Sequence, residues 1–556
     1  MLISHEIDAR VRAAVEEAQR RDLLPTVAPP DVVVERPQKP EHGDFATSLP
    51  MRLARAARMK PLEIAERLVS LMPGDDVFER VWAAPPGFIN FVLHPRWLGR
   101  QVDEVRRAGE GYGNLDVGAG TRVQVEYVSV NPTGPIHVGH ARGAVLGSAL
   151  AEVLAAAGYD VTREYYVNDA GSQMDAFYKS LYARYAQALG QDVPLPPEGY
   201  QGQYMVELGQ ELARELGDRF LAMPQEQAVR ETGEIGLGRM LECIQQDLEM
   251  IGVRFDVWFR ERSLYQSGQY NKAMGLLRQG GHTAEREGAL WFTSTALGED
   301  KDNVLVRSSG LPTYFASDVA YHYNKFVERG LQRVINLWGA DHQGHVPRMK
   351  AVVGALGIDP SRLHIIIVQM VSLRRGDEVV KVSKRTGELI TLRELVEEVG
   401  PDACRFFFLA RSPESQMDFD MELATKQSAD NPVYYVQYAH ARIAGILRLA
   451  RERGIDWSDG DVSLLAHEAE LALVRKMVLL PELVESITRT LEPHSLPHYA
   501  LELATAFHWF YQQCRVVSSV PEDAAITKAR LKLTEGARVV LARTLHLMGV
   551  NAPDRM

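Results

Sequence analysis

The chain has 556 residues, 46% of them hydrophobic, and a formal net charge of −11. That length predicts three or four units with more than one core, and the acidic total excludes unspecific coating of nucleic acid, leaving any RNA contact to a local basic face. Apolar runs fall short of the roughly 18–20 residues a membrane helix needs, and Met1-Leu2-Ile3-Ser4-His5-Glu6 turns charged too early for a secretory signal, so a cytoplasmic protein with no membrane partner is expected.

In chain order, Ile7 to Arg20 carries apolar residues at helical spacing. The Pro-rich stretch Pro25 to Pro40 follows, and helical sequence is predicted again from Phe45 to Leu71. Pro85-Pro86-Gly87 turns the chain into a strand, Phe88 to Leu93. Residues 1–112 therefore read as a small α/β domain, with glycine-rich Gly109 to Gly120 as its linker. Val123 to Val130 is the next strand candidate, Asn131 to Gly139 a loop, and Ala141 to Ala157 a helix closed by Gly158. Asp160 to Val167 is a second strand. This strand–helix–strand unit implies a doubly wound, Rossmann-type parallel sheet, to which Val334 to Trp338 and Leu363 to Val371 are expected to add strands. The α/β catalytic domain is placed at 113–370, with a mostly helical insertion at about 175–300. Residues 371–430 connect it to 431–556, which read as a C-terminal helical bundle. Cys243, Cys404 and Cys514 lie far apart with no CxxC pair, so buried structural thiols are expected, and neither a zinc site nor a disulfide framework.

Two short motifs carry chemistry. His137-Val138-Gly139-His140 sits between a strand and a helix. A glycine there permits close backbone approach, the helix N-terminus favours phosphate, and both imidazoles can donate to phosphate oxygens. Much later, Lys381-Val382-Ser383-Lys384-Arg385 places three cations beside a serine, as suits a loop gripping a triphosphate and neutralising a pyrophosphate leaving group. The pair, in one doubly wound fold, resembles the class I aminoacyl-tRNA synthetases. Val138 and Val382 stand where the family usually has Ile and Met, and Arg385 where it has a final Ser. Gly339-Ala340-Asp341, after the strand ending at Trp338, resembles the loop that approaches the ATP ribose.

Longer blocks are similar to the arginyl-tRNA synthetases: Glu126 to Pro135, Tyr166 to Gly171, Tyr314 to Asp318 and Asn431 to Arg442. The resemblance runs through the whole chain in family order. It implies ATP-dependent activation of L-arginine to arginyl-adenylate, then transfer to the terminal ribose of tRNA-Arg, with magnesium carried by ATP. It assigns His137, His140, Lys381 and Lys384 to catalysis. ATP falls to these four with Gly139, Ser383, Gly339 and Asp341. The guanidinium falls to Glu126 and Asp318 beside Tyr314, and the α-amino and carboxylate end to Asn131 and His137, with His342 nearby. A planar, permanently charged guanidinium is best held by a carboxylate fork, which agrees. By the same resemblance the N-terminal domain meets the tRNA elbow through Phe88 and Asn90, and the C-terminal bundle reads the anticodon through Tyr438 and Arg442. Arg448, Arg451, Arg453, Lys528, Arg530, Lys532, Arg538 and Arg543 are candidates for its basic face. The resemblance further implies a monomer and an activation step that needs bound tRNA. A class I synthetase for another amino acid, and a tRNA-binding paralogue without charging activity, remain the alternatives.

Overall fold

The structure is a computed structural model that describes residues 2–380 and 389–556. Its first helix, α1 (Ile3–Arg20), buries Ile3, Ile7, Val11, Ala14, Val15 and Ala18, the 3–4 spacing of one helix face. A small antiparallel sheet follows, built from β1 (Val34–Glu35), β2 (Phe45–Thr47), β3 (Phe78–Ala84) and β4 (Phe88–Leu93) in the order β1-β2-β4-β3. Helices α2 (Leu49–Ala57) and α3 (Pro61–Val69) lie in the long connection before β3. The helix expected from Phe45 therefore starts four residues late. Phe45, Ala46 and Thr47 are all buried and pair with β4, and the helix begins only after Ser48, with Pro50 in its first turn.

Helix α4 (Pro95–Ala108) leads to the central sheet. Strand β5 (Arg122–Glu126), helix α5 (Val138–Ala156) and strand β6 (Asp160–Val167) form the first crossover. Helices α6 (Ser172–Ala188), α7 (Gln203–Leu216) and α8 (Gln225–Met250) form the second, which ends in β7 (Val257–Arg260). The helical insertion expected at about 175–300 is thus interrupted. Val257-Trp258-Phe259 returns to the central sheet beside β6, because its apolar side chains cover Tyr165 and Tyr166. Helices α9 (Arg262–Gln266) and α10 (Gln269–Gln279) then lead to a three-stranded antiparallel sheet of β8 (Thr283–Arg286), β9 (Ala289–Phe292) and β10 (Asn303–Val306).

Helix α11 (Tyr314–Tyr323) leads to β11 (Arg333–Gly339), α12 (Val346–Ala355) and β12 (Leu363–Val368). The central sheet runs β12-β11-β5-β6-β7, all parallel. Side chains alternate across it: Ile335 and Leu337 join the core that runs on to α5 and the C-terminal helices, while Val334 and Tyr166 join a second core under α10, α11 and α12. Buried on nearly every side, α5 is the helix these layers enclose.

The strand expected at Leu363 to Val371 divides. Residues beyond Val368 leave the central sheet, and β13 (Val371–Arg375) pairs with β14 (Glu378–Val380) and, past α13 (Leu392–Val399) and α14 (Pro401–Leu409), with β15 (Met417–Asp420). Arg142 of α5 fixes this connecting unit. Its fully buried guanidinium donates to the carbonyls of Gln369, Arg411, Ser412 and Ser415 at 2.7–3.3 Å. After the short α15 (Met421–Thr425), helices α16 (Pro432–Glu452), α17 (Glu468–Met477), α18 (Leu480–Thr490), α19 (Ser495–Gln513) and α20 (Ala524–Met548) make the C-terminal bundle. The N-terminal domain rests on it through Arg475–Asp44 at 2.9 Å and Arg106–Glu535 at 2.6 Å.

Candidate active site

Strands β5 and β11 are neighbours, yet β5 leads to β6 on one side and β11 to β12 on the other. Ligands of open parallel sheets sit outside the carboxyl ends at such a reversal. A cleft of about 820 Å³ opens there, lined by Glu126, Asn131, His137, His140, Asp318, Gly339, Asp341 and His342 among others.

The residues after β5 make its first wall. The strand expected to reach Val130 stops at Glu126, because Val128 and Ser129 both take positive φ, at 68° and 45°. A β-branched residue in that region is strained. Neighbours hold the turn: Tyr165 donates to the Val130 carbonyl at 2.8 Å, and Ser129 Oγ accepts from Tyr166 N at 3.1 Å. The turn aims Asn131 into the cleft, where its carboxamide accepts from Asn168 at 2.8 Å and donates to Gln173.

His137 is the N-cap of α5, and its Nδ1 accepts the Gly139 N–H at 3.1 Å. Its other ring nitrogen is thereby left as the donor. A Cβ on Gly139 would stand 2.9 Å from His137 Cε1, so the glycine keeps this cap from being pushed aside. The two rings lie 3.8 Å apart between centroids. Burial lowers the His137 pKa, and burial together with the neighbouring His137 pulls His140 down to about 4. Both are neutral near pH 7, so what they offer a phosphate is an N–H. Among the described residues, His140 Nδ1 is buried with no hydrogen-bond partner. Lys381, Ser383 and Lys384 lie outside the described residues. The chain just after them is fastened to the motif, with Leu392 N donating to the Ile136 carbonyl at 2.8 Å and Val138 N to that of Ile390 at 3.2 Å.

Acid also lines the cleft. Asp318, one turn into α11, reaches the cleft, and its carboxyl is pushed up to about 7 by burial first, then by Glu126 and Glu261. Glu126 is buried, pairs with Lys325, and accepts from Ser129 Oγ at 3.2 Å. Tyr314 shares the helix with Asp318 but stays 50% exposed; it lies beside Gly171, outside the residues that line the cleft. Glu261 is a third carboxyl, which the sequence reading missed. It sits behind Asp318 against Ser317 and Tyr166, and burial pushes it up to about 7. It belongs to no motif, and its only signal was the apolar run Val257-Trp258-Phe259, which forms β7 and leaves Glu261 just past its end. On the β11 side, Gly339 ends the strand, and Asp341 and His342 form an exposed pair at 3.3 Å on the following turn.

Three family models cover the chain. An arginyl tRNA synthetase N terminal domain matches residues 5–93, a class I (R) tRNA synthetase catalytic domain matches 108–406, and a DALR anticodon binding domain matches 436–556. An arginine–tRNA ligase of Dehalococcoides mccartyi strain BAV1 is 58% identical over 98% of this chain and 97% of its own. That of Heliobacterium modesticaldum is 49% identical over 100% and 99%. The chain belongs to the arginyl-tRNA synthetase family. The arginyl-tRNA synthetase of Thermus thermophilus has the same fold, with a TM-score of 0.79 at 23% identity over 100% of both chains. As a class I synthetase this protein is an enzyme, and the sheet reversal with its two histidines is where that class predicts nucleotide chemistry.

The surfaces a synthetase turns to RNA fare unevenly. On α16, Tyr434 and Tyr438 stack at 6.2 Å and 10°, and Tyr438 is 36% exposed. Arg442 lies 4.9 Å from the rings of both Tyr438 and Tyr511. The basic face expected downstream is largely consumed by internal pairs. Lys528 binds Asp459, Arg530 binds Glu470, Lys532 binds Asp103 and Arg538 binds Asp554, all within 3.0 Å, while Arg543 donates to Asn114. Those cations fasten α20 to its neighbours, a role their sequence positions did not reveal. In the N-terminal domain Phe88 is half-buried. Asn90 is 2% exposed between Ala46 and Trp82, so in this conformation it does not offer its amide to a base. No helix among the described residues is long and apolar enough to cross a membrane.

Proposed function

We infer that the protein activates L-arginine with ATP and transfers it to the 3′-terminal ribose of tRNA-Arg, releasing AMP and pyrophosphate. The observation that carries this reading is one cleft, on a sheet reversal, lined by both a neutral histidine pair and the carboxyls of buried Glu126 and half-buried Asp318. In the first step the arginine carboxylate attacks the α-phosphorus in line, and pyrophosphate leaves. His137 and His140 donate to the α-phosphate oxygens as charge develops, and Gly139 keeps the pair in place. Lys381 and Lys384, with Ser383, hold the departing pyrophosphate. Gly339 and Asp341 take the ribose.

Asp318 and Glu126 receive the guanidinium, and Tyr314 belongs to the rim of that pocket. Asn131, oriented by Asn168 and Gln173, meets the α-amino and carboxylate end, and His342 stands at the mouth. A neutral side chain would leave the Asp318 carboxylate without its cationic partner, so discrimination needs no editing step. In the second step the terminal tRNA hydroxyl attacks the arginyl carbonyl and AMP leaves. Magnesium travels with ATP, whose phosphates supply its ligands. Tyr438 and Arg442 offer stacking and charge to unpaired bases, and Phe88 a stacking face at the N-terminal domain. We place the enzyme in the cytoplasm as a monomer.

The experiment is ATP–pyrophosphate exchange across all twenty amino acids, with and without total tRNA. Exchange with arginine alone, dependent on tRNA, is expected. Exchange with another amino acid refutes the pocket, and none under any condition leaves a tRNA-binding protein without charging activity. Lys384→Ala tests the loop, since unchanged adenylate formation would remove it from the mechanism.

A further inference from the structure

Below the cleft lies a buried cation that the chemistry above does not use. Lys325 is fully buried in the π-helical turn Asn324–Glu328 that follows α11. Such turns hold one residue more than an α-turn and concentrate at functional sites. Its ammonium donates to Glu126 Oε2 and, at 2.9 Å, to Asn336 Oδ1, and lies 4.1 Å from the centre of the Tyr321 ring. Asn336 continues the chain of contacts to His322 Nε2 at 3.2 Å, and His322 Nδ1 donates to the Asp318 carbonyl at 2.8 Å. Lys325 therefore ties Glu126 of β5 to the helical turn that carries Asp318.

Replacing a buried ion pair by an apolar side chain of similar volume is often neutral or stabilising, so an ammonium kept here calls for a use beyond stability. Glu126 is constrained on both oxygens, by Lys325 on one and Ser129 on the other. Left without its cation, the carboxylate would be free to turn away from the cleft wall.

We propose that Lys325 is a positioning residue for the amino-acid substrate: it balances Glu126 from below and fixes that carboxylate so that it and Asp318 meet a guanidinium as one rigid fork. This rests on the arginine pocket assigned above. A site held by its own supporting contacts loses little order when the substrate arrives.

The test uses the full chain with tRNA, measuring pyrophosphate exchange for Lys325→Met, Lys325→Arg, Glu126→Gln and the double variant Glu126→Gln/Lys325→Met. Lys325→Met is expected to raise the arginine KM roughly tenfold or more with the ATP KM unchanged. Lys325→Arg should restore most of the loss. In the Glu126→Gln background the second substitution should change the arginine KM by under about twofold, because the effect runs through Glu126. A lysine that only holds the fold would lower the active fraction and leave both KM values alone. An unchanged or lowered arginine KM in folded Lys325→Met overturns the proposal, as does an additive effect in the double variant. If Lys325→Met does not fold, the double variant, which removes both buried charges, decides against Glu126→Gln alone. A normal arginine KM in Glu126→Gln refutes the pocket itself.

Discussion

The floor of the cleft and the outer face of the C-terminal bundle both use cations beside aromatic rings, in opposite ways. Under the cleft, Lys325 is sealed against Tyr321 and paired with Glu126, and every partner of its ammonium is buried. On the bundle, Arg442 lies between the Tyr438 and Tyr511 rings with much of both tyrosines open to solvent. The first arrangement suits a ligand of one fixed shape, because desolvated charges act strongly and tolerate little displacement. The second suits an extended, flexible polymer, because stacking accepts any base and exposed charge is screened by salt. One chain thus carries a sealed, charge-paired cation and another flanked by exposed rings.

The largest expected effect falls on the cleft. Asp318→Asn should lower kcat/KM for arginine by roughly a factor of 100 or more, about 3 kcal/mol, with ATP binding intact; arginine titrations of exchange rate measure it, and retained arginine affinity would remove Asp318 from the pocket. Next is Arg142→Ala, which strips the guanidinium hydrogen bonds from four carbonyls between α5 and the β13 unit, of which the Ser412 carbonyl keeps a side-chain donor, Ser415 Oγ at 2.8 Å. A loss of about 3 kcal/mol of stability is expected in denaturant unfolding, and a change of less than about 1 kcal/mol would show that water replaces the guanidinium there.

Acidity sharpens the comparison. Asp318 titrates near 7 in the empty site because burial and neighbouring acids favour its protonated form. Arginine needs the ionised form, so its kcat/KM should be level at higher pH and fall up to about tenfold per unit below 7. Glu261, pushed to about 7 as well, steepens the fall if it faces the same charge. A pH-independent kcat/KM between 5.5 and 8 contradicts this. The tRNA KM should not share that limb, since it does not depend on the Asp318 carboxylate.

The smallest effects belong to the bundle. Tyr438→Ala should raise the tRNA KM by roughly five- to tenfold, the low end of what one lost stacking contact costs, and leave arginine and ATP unaltered. Arg530→Ala is the control. Its guanidinium is committed to Glu470, so the tRNA KM should stay within about twofold, and a larger change would return α20 to the RNA surface.

Much of this was legible because the signals are local. The strand at Asp160 to Val167 and the end of α5 at Gly158 follow from side-chain period and from turn chemistry within a few residues, although α5 starts at Val138, three residues before the expected Ala141, and His137 and His140 are joined by one helical turn. The departures occur where distant contacts overrule a short run. Phe45 to Thr47 becomes a strand because β4 is there to pair with it, Val128 and Ser129 leave the extended region because Tyr165 and Tyr166 hold the turn, and Val257 to Arg260 rejoins the sheet because β6 presents aromatic rings to cover.

By itself, then, the sequence determined the doubly wound class and the histidine pair between strand and helix, since each depends on residue type and near neighbours, while the candidates for binding a guanidinium came from the resemblance to arginyl-tRNA synthetases. Only the tertiary structure decided which charges are free to act. Glu126 and Lys325 are 199 positions apart, Arg530 and Glu470 are 60 apart, and Glu261, just past β7, acts on Asp318 of α11. Whether a charged side chain meets solvent, substrate or a partner depends on the dielectric and the groups that folding brings around it, and those are set by chain segments far away in sequence.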